Sequence, residues 1–93
     1  MRLVIGSEVS MRTYYLKFSI AISLTEFANR FREEMGTSGA PVPKTTFHLE
    51  GEICVFTLHT TNPPNNIDKV FQIAAHRVDN KCEIALTKRA GHN

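Results

Sequence analysis

The chain has no tryptophan, no low-complexity run and no CxxC pair, and its two cysteines, Cys54 and Cys82, stand far apart with no Cys/His ligand spacing around them. A zinc site is therefore not expected, and neither a metal nor another cofactor is implied. No stretch approaches the roughly 18 apolar residues of a membrane-spanning helix. The run Leu3-Val4-Ile5 is too short for the core of a signal peptide. These absences point to a cytoplasmic protein without a membrane partner. A strong charge of one sign is also missing: 11 Lys and Arg stand against 9 Asp and Glu, and the net +2 is too weak by itself to argue for nucleic acid. With 93 residues there is no room for a second domain, and the core of one domain this small is modest. Self-association would bury further surface, so a homodimer is expected. Residues 1–11 read as a leader of uncertain order, with the ordered domain, and the natural start, expected near Met11; residues 12–90 read as one domain and 91–93 as a tail.

What is present is organised around Thr45 to Thr60, which reads as two strands joined at a tight turn. With Glu50 and Gly51 as the turn residues, Leu49 faces Glu52, His48 faces Ile53 and Phe47 faces Cys54. The alternation sorts Phe47, Leu49, Cys54, Phe56 and Leu58 to one face and His48, Ile53, Val55, Thr57 and His59 to the other. The first set is a core face. The second is apolar in the middle, with imidazoles towards its ends.

Before the hairpin, Thr13 to Ile20 alternates Tyr14, Leu16, Phe18 and Ile20 against Tyr15, Lys17 and Ser19, the pattern of a half-buried strand. Ser23 and Glu26 then form a capping box, and Leu24, Phe27, Ala28, Phe31 and Met35 recur at helical spacing until Gly36, which predicts a helix over Leu24 to Met35 closed by Gly36. Pro41 and Pro43 exclude a central strand in the next connection. After the hairpin, Ile67 to Val78 has two readings. As a helix it aligns Ile67, Val70, Phe71, Ala74 and Val78, and as a strand it would pair across an Asp79-Asn80 turn. Asn65 or Asn66 as a cap, and Asp68 in the first turn, favour the helix. Cys82 to Lys88 alternates and reads as a last strand.

The order β, α, β, β, α, β is the split βαβ pattern of a ferredoxin-like α+β fold. It implies a four-stranded antiparallel sheet in the order 4-1-3-2 with both helices on one face. Cys54 and Cys82 would then be core residues separated by the first strand, about 9 to 10 Å apart, beyond the disulfide range of about 7 Å.

The open face of such a sheet would carry Tyr15, Lys17, Ser19, His48, Ile53, Val55, Thr57, His59, Ala85, Thr87 and Arg89. It is not that of an RNA-recognition motif, whose third strand needs base-stacking aromatics where Ile53 and Val55 stand here. The loop motifs of the acylphosphatase and heavy-metal versions of the fold are also missing. In the register above, His48 and His59 would lie about 20 Å apart along the strands, too far to act as one acid–base pair. Arg30 and Arg32 diverge by about 200° around the helix and cannot clamp one carboxylate together. Glu26 and Arg30 have i,i+4 spacing.

The order of elements, the Thr13-Tyr14 opening with Phe18, and the run Arg30-Phe-Arg32-Glu-Glu-Met35 resemble the GhoS family of antitoxins from type V toxin–antitoxin systems, over about residues 12 to 88. The resemblance implies a ferredoxin-like protein, similar in shape to small CRISPR-associated nucleases, that acts as an endoribonuclease on the messenger of a membrane toxin. Those nucleases usually bear an Asp for metal binding at the end of the first strand. Ser19-Ile20-Ala21 stands there, so a metal-independent mechanism is expected.

Cleavage of RNA without a metal needs a base for the 2′-hydroxyl, an acid for the leaving oxygen and cations for the phosphorane. The candidate catalytic residues are Arg30 and Arg32, as phosphate stabilisers, and His48; Tyr15, Lys17 and Arg89 are the candidates for binding RNA. The competing reading is a non-catalytic protein-binding or inhibitor module that dimerises through its sheet or its second-strand edge. A small-ligand regulatory domain is a third reading, for which no ligand motif is visible.

Overall fold

The structure, a computed structural model, describes residues 11–37, 39, 42–60 and 63–89, with Lys88 and Arg89 described by backbone alone; the leader's first ten residues and the tail lie outside the described residues. Its elements are β1 (Met11–Phe18), α1 (Leu24–Thr37), β2 (Lys44–Glu50), β3 (Ile53–His59), α2 (Ile67–Val78) and β4 (Ile84–Arg89). The strands form one open antiparallel sheet in the order β2-β3-β1-β4. That order is the expected 4-1-3-2 read from the other edge, and it is consistent with a ferredoxin-like fold.

Period-two patterning decides which face of the sheet is covered. Tyr14 and Leu16 of β1 and Cys54, Phe56 and Leu58 of β3 are buried on the inner face. Both helices pack there, because Phe27 and Phe31 of α1 and Phe71 of α2 all meet the Phe56 ring, at centroid distances of 5.8, 5.2 and 5.2 Å. Phe71 also meets Tyr14 at 5.3 Å. Burying four fully covered phenylalanine side chains removes a large apolar area from water and is the main stabilising contribution of so small a core. Arg77 of α2 and Glu34 of α1 form an ion pair between the helices, and Gln72 Nε2 donates to the Ile84 carbonyl at 2.8 Å, tying α2 to β4.

Ile67 to Val78 is helical, the reading that its cap and Asp68 favour. Asn66 occupies the cap position but makes no side-chain capping bond. At α1 the serine half of the expected capping box forms, with the Glu26 amide donating to Ser23 Oγ at 3.2 Å, while the Glu26 carboxylate lies 3.9 Å from Arg30.

Several boundaries and one register differ from the expected ones, and β1 begins at Met11, a residue expected to belong to the leader. The hairpin turn is Gly51-Glu52, so Glu50 faces Ile53, Leu49 faces Cys54 and His48 faces Val55. A Glu50-Gly51 turn of type I′ needs positive φ at Glu50 as well, whereas only Gly51, at 63°, is in the left-handed region, as the first position of a type II′ turn requires. The slip is two residues, so every side chain keeps its expected face.

Gly36 does not end α1, which runs on to Thr37. The left-handed glycine after the helix is Gly39, with φ of 82° and its amide donating to the Gly36 carbonyl at 3.0 Å. β1 stops at Phe18, leaving Ile20 outside the sheet and 36% exposed. β4 starts at Ile84, so Cys82 is buried in the connection before it; both cysteines are free. There the Ser19 hydroxyl accepts from the Glu83 amide and the Ser19 amide donates to the Glu83 carbonyl, each at 2.8 Å.

Candidate functional site

The candidate residues divide between the two layers of the fold. Tyr15 and Lys17 lie two residues apart on the open face of β1, the face that neither helix covers. Across that face one register row crosses all four strands, from His48 through Val55 and Tyr15 to Thr87. His48 and Tyr15 therefore flank Val55, with backbones about 10 Å apart at two strand spacings. Val55 is only 5% exposed, so it is a covered floor between its two ring-bearing neighbours. Arg89 lies two positions further along β4, opposite Thr13.

The polar groups of this face are held by neighbours that the sequence reading did not single out. His48 Nε2 lies 3.0 Å from the Glu50 carboxylate, and Lys17 Nζ lies 3.8 Å from that of Glu52. Residues two apart on a strand share a face, so the His48-Glu50 contact was open to inference from spacing alone. The Lys17-Glu52 contact needed the hairpin register. His59 Nε2 lies 3.4 Å from Thr46 Oγ1. The corrected register shortens the His48–His59 separation from about 20 to about 13 Å, which still places them apart as an acid–base pair.

Arg30 and Arg32 sit on the helical layer, away from His48. Arg30 pairs with Glu26 at 3.9 Å and with Glu33 at 3.4 Å, the solvated helix-face arrangement. Arg32 turns towards the sheet edge, where it donates to Thr45 Oγ1 at 2.6 Å and to Asn29 Oδ1. The two guanidinium groups hold different partners and do not converge, and the structure does not bring the trio Arg30, Arg32 and His48 together.

A shallow depression of about 290 Å³ lies where β1 ends and β4 begins, lined by Lys17, Phe18, Ser19, Glu83, Ile84 and Ala85. Among the described residues, no group of three or more His, Cys, Asp or Glu side chains is placed to hold a metal ion. No described helix is long and apolar enough to cross a membrane. Burial pushes the Cys54 thiol up to about 11 and raises that of Cys82 as well, which makes both poor nucleophiles.

No protein-family model matches the chain, and neither a curated protein nor a solved structure shows significant similarity to it.

Proposed function

We propose that this chain is an antitoxin-like protein that binds single-stranded RNA across the open face of its sheet. The observation behind this reading is the row from His48 through Val55 and Tyr15 to Thr87, with Lys17 on the same face of the central strand. Tyr15 offers a ring on which one base can stack, and the small or β-branched neighbours Val55 and Thr87 leave a low surface around it. Lys17 supplies a cation for the adjoining phosphate. Arg89 lies two register positions from Thr87 along β4.

The antitoxin resemblance implies that a toxin messenger is cut as well as held. On this face the proton acceptor for the 2′-hydroxyl would be His48, oriented by Glu50. Arg30 and Arg32, on the other layer, would meet only RNA that wraps round the β2 edge. Incubation of the purified protein with unstructured and hairpin RNA at low salt, with and without a chelator, tests the reading. Retardation of the unstructured RNA is expected; neither retardation nor cleavage would overturn it.

A second reading rests on a separate observation. β2 is an edge strand, and Leu49 on it is 60% exposed, an arrangement suited to a non-catalytic module that pairs through its sheet.

A further inference from the structure

The edge strand β2 reads Lys44-Thr45-Thr46-Phe47-His48-Leu49-Glu50. Among the described residues no strand lies beyond it. In a two-residue hairpin the pair next to the turn is hydrogen-bonded, here Glu50 with Ile53. Alternation then directs the backbone groups of Lys44, Thr46, His48 and Glu50 towards β3, and those of Thr45, Phe47 and Leu49 towards the free edge.

We infer that β2 is the self-association edge of this protein. It pairs antiparallel with β2 of a second copy about a two-fold axis through Phe47, making one continuous eight-stranded sheet. This deepens the second reading above and rests on it. A two-fold axis perpendicular to a sheet can pair a strand with itself only so that some residue opposes its own copy, because the two strands must present matching faces. Centring on Phe47 is singled out by charge. It alone sets Lys44 against Glu50 of the second copy, and Glu50 against Lys44, so both ends of the paired strands carry opposite charges.

The same register opposes Phe47 to its own copy, Thr46 to His48 and Thr45 to Leu49. Phe47 is half-buried and Leu49 is 60% exposed on the inner face, so the pairing would cover apolar surface that the helices leave uncovered. Moving the axis to Thr46 or His48 sets Lys44 against His48 or Thr46 against Glu50, and loses both ion pairs. Edge strands that avoid association commonly carry charges that repel a copy. The charges of β2 instead attract one.

The test is the mass of the full chain across a concentration series by sedimentation equilibrium, together with three variants. Wild type is expected to dimerise. Lys44→Glu and Glu50→Lys each turn two opposite-charge pairs into two like-charge pairs, and each is expected to weaken the dimer about 30-fold at low salt. The double variant restores the pairs with reversed sense and is expected to return to within a few-fold of wild type. A wild type that stays monomeric overturns the inference and with it the second reading as self-association. A dimer that ignores the single reversals, or is not rescued by the double variant, overturns this edge and register alone. RNA retardation is a separate measurement and is untouched by either result.

Discussion

The ring of Phe71 in α2 stands nearly perpendicular to that of Phe56 in β3, at 86° and 5.2 Å between centroids. Phe56 also meets Phe27 and Phe31, so this one contact joins the second half of the chain to a cluster built by the first. Phe71 is fully buried, and Phe71→Ala leaves a cavity that its neighbours in two helices and the sheet cannot all close. The expected cost is about 3 to 5 kcal/mol, read as a fall in the urea midpoint with an unchanged slope or, if stability is already low, as loss of cooperative unfolding.

Capping of α1 by Ser23 offers a smaller and cleaner probe. Ser23→Ala removes the acceptor for the Glu26 amide on an exposed helix end. A loss of about 1 kcal/mol is expected, while Ser23→Asp should retain most of the stability, as thermal unfolding of the three proteins would show.

The buried thiol of Cys54 makes stability fall in alkali. Its folded value is raised from 9.0 to about 11, so the folded state holds its proton where the unfolded chain has lost it. The stabilising contribution is complete below about pH 9 and disappears as the pH rises through about 11, a change of about 2 to 3 kcal/mol for a shift of this size. Tyr14 is raised by burial, opposed by Arg12 and reinforced by Asp68, and Cys82 is raised by burial, so both act in the same direction. Urea midpoints measured from pH 8 to 11 should decline, and the decline should be shallower in Cys54→Ala. Alkylation at pH 8 should label neither cysteine until urea unfolds the chain.

On the open face, Tyr15→Ala should weaken binding of unstructured RNA by about 1 to 3 kcal/mol, the usual worth of a stacked base. Lys17→Ala should weaken it for all sequences and lower the salt slope by about 0.7, one phosphate contact on a single strand. Fluorescence anisotropy across a salt series reads both. Equal affinities for wild type and both variants would remove this face from consideration.

Arg32→Ala separates the two layers. Loss of its bonds to Thr45 and Asn29 should cost about 1 kcal/mol of stability and leave RNA affinity within about twofold. A larger loss of affinity, with the fold intact by circular dichroism, would bring the helical layer into the RNA site.

Much of the architecture was legible in the order of residues. Period-two alternation assigned Tyr14, Leu16, Phe56 and Leu58 to the covered face and Tyr15, Lys17 and His48 to the open one, because a strand sends successive side chains to opposite sides. Ser23 and Glu26 announced the start of α1, because a capping box is a local bond within one turn. Local chemistry of this kind needs nothing from the rest of the chain.

The tertiary structure decided what such patterns leave degenerate. A two-residue slip preserves every face, so alternation could not choose between Glu50-Gly51 and Gly51-Glu52; that choice rests on φ at the turn. Likewise, helical spacing carried no sign that Arg32 would reach across to Thr45, and alternation no sign that His48 would share a row with Tyr15. Those relationships join residues distant in the chain. They exist only once the strand ladders have fixed the register and the packing of α1 has brought Arg32 to the β2 edge.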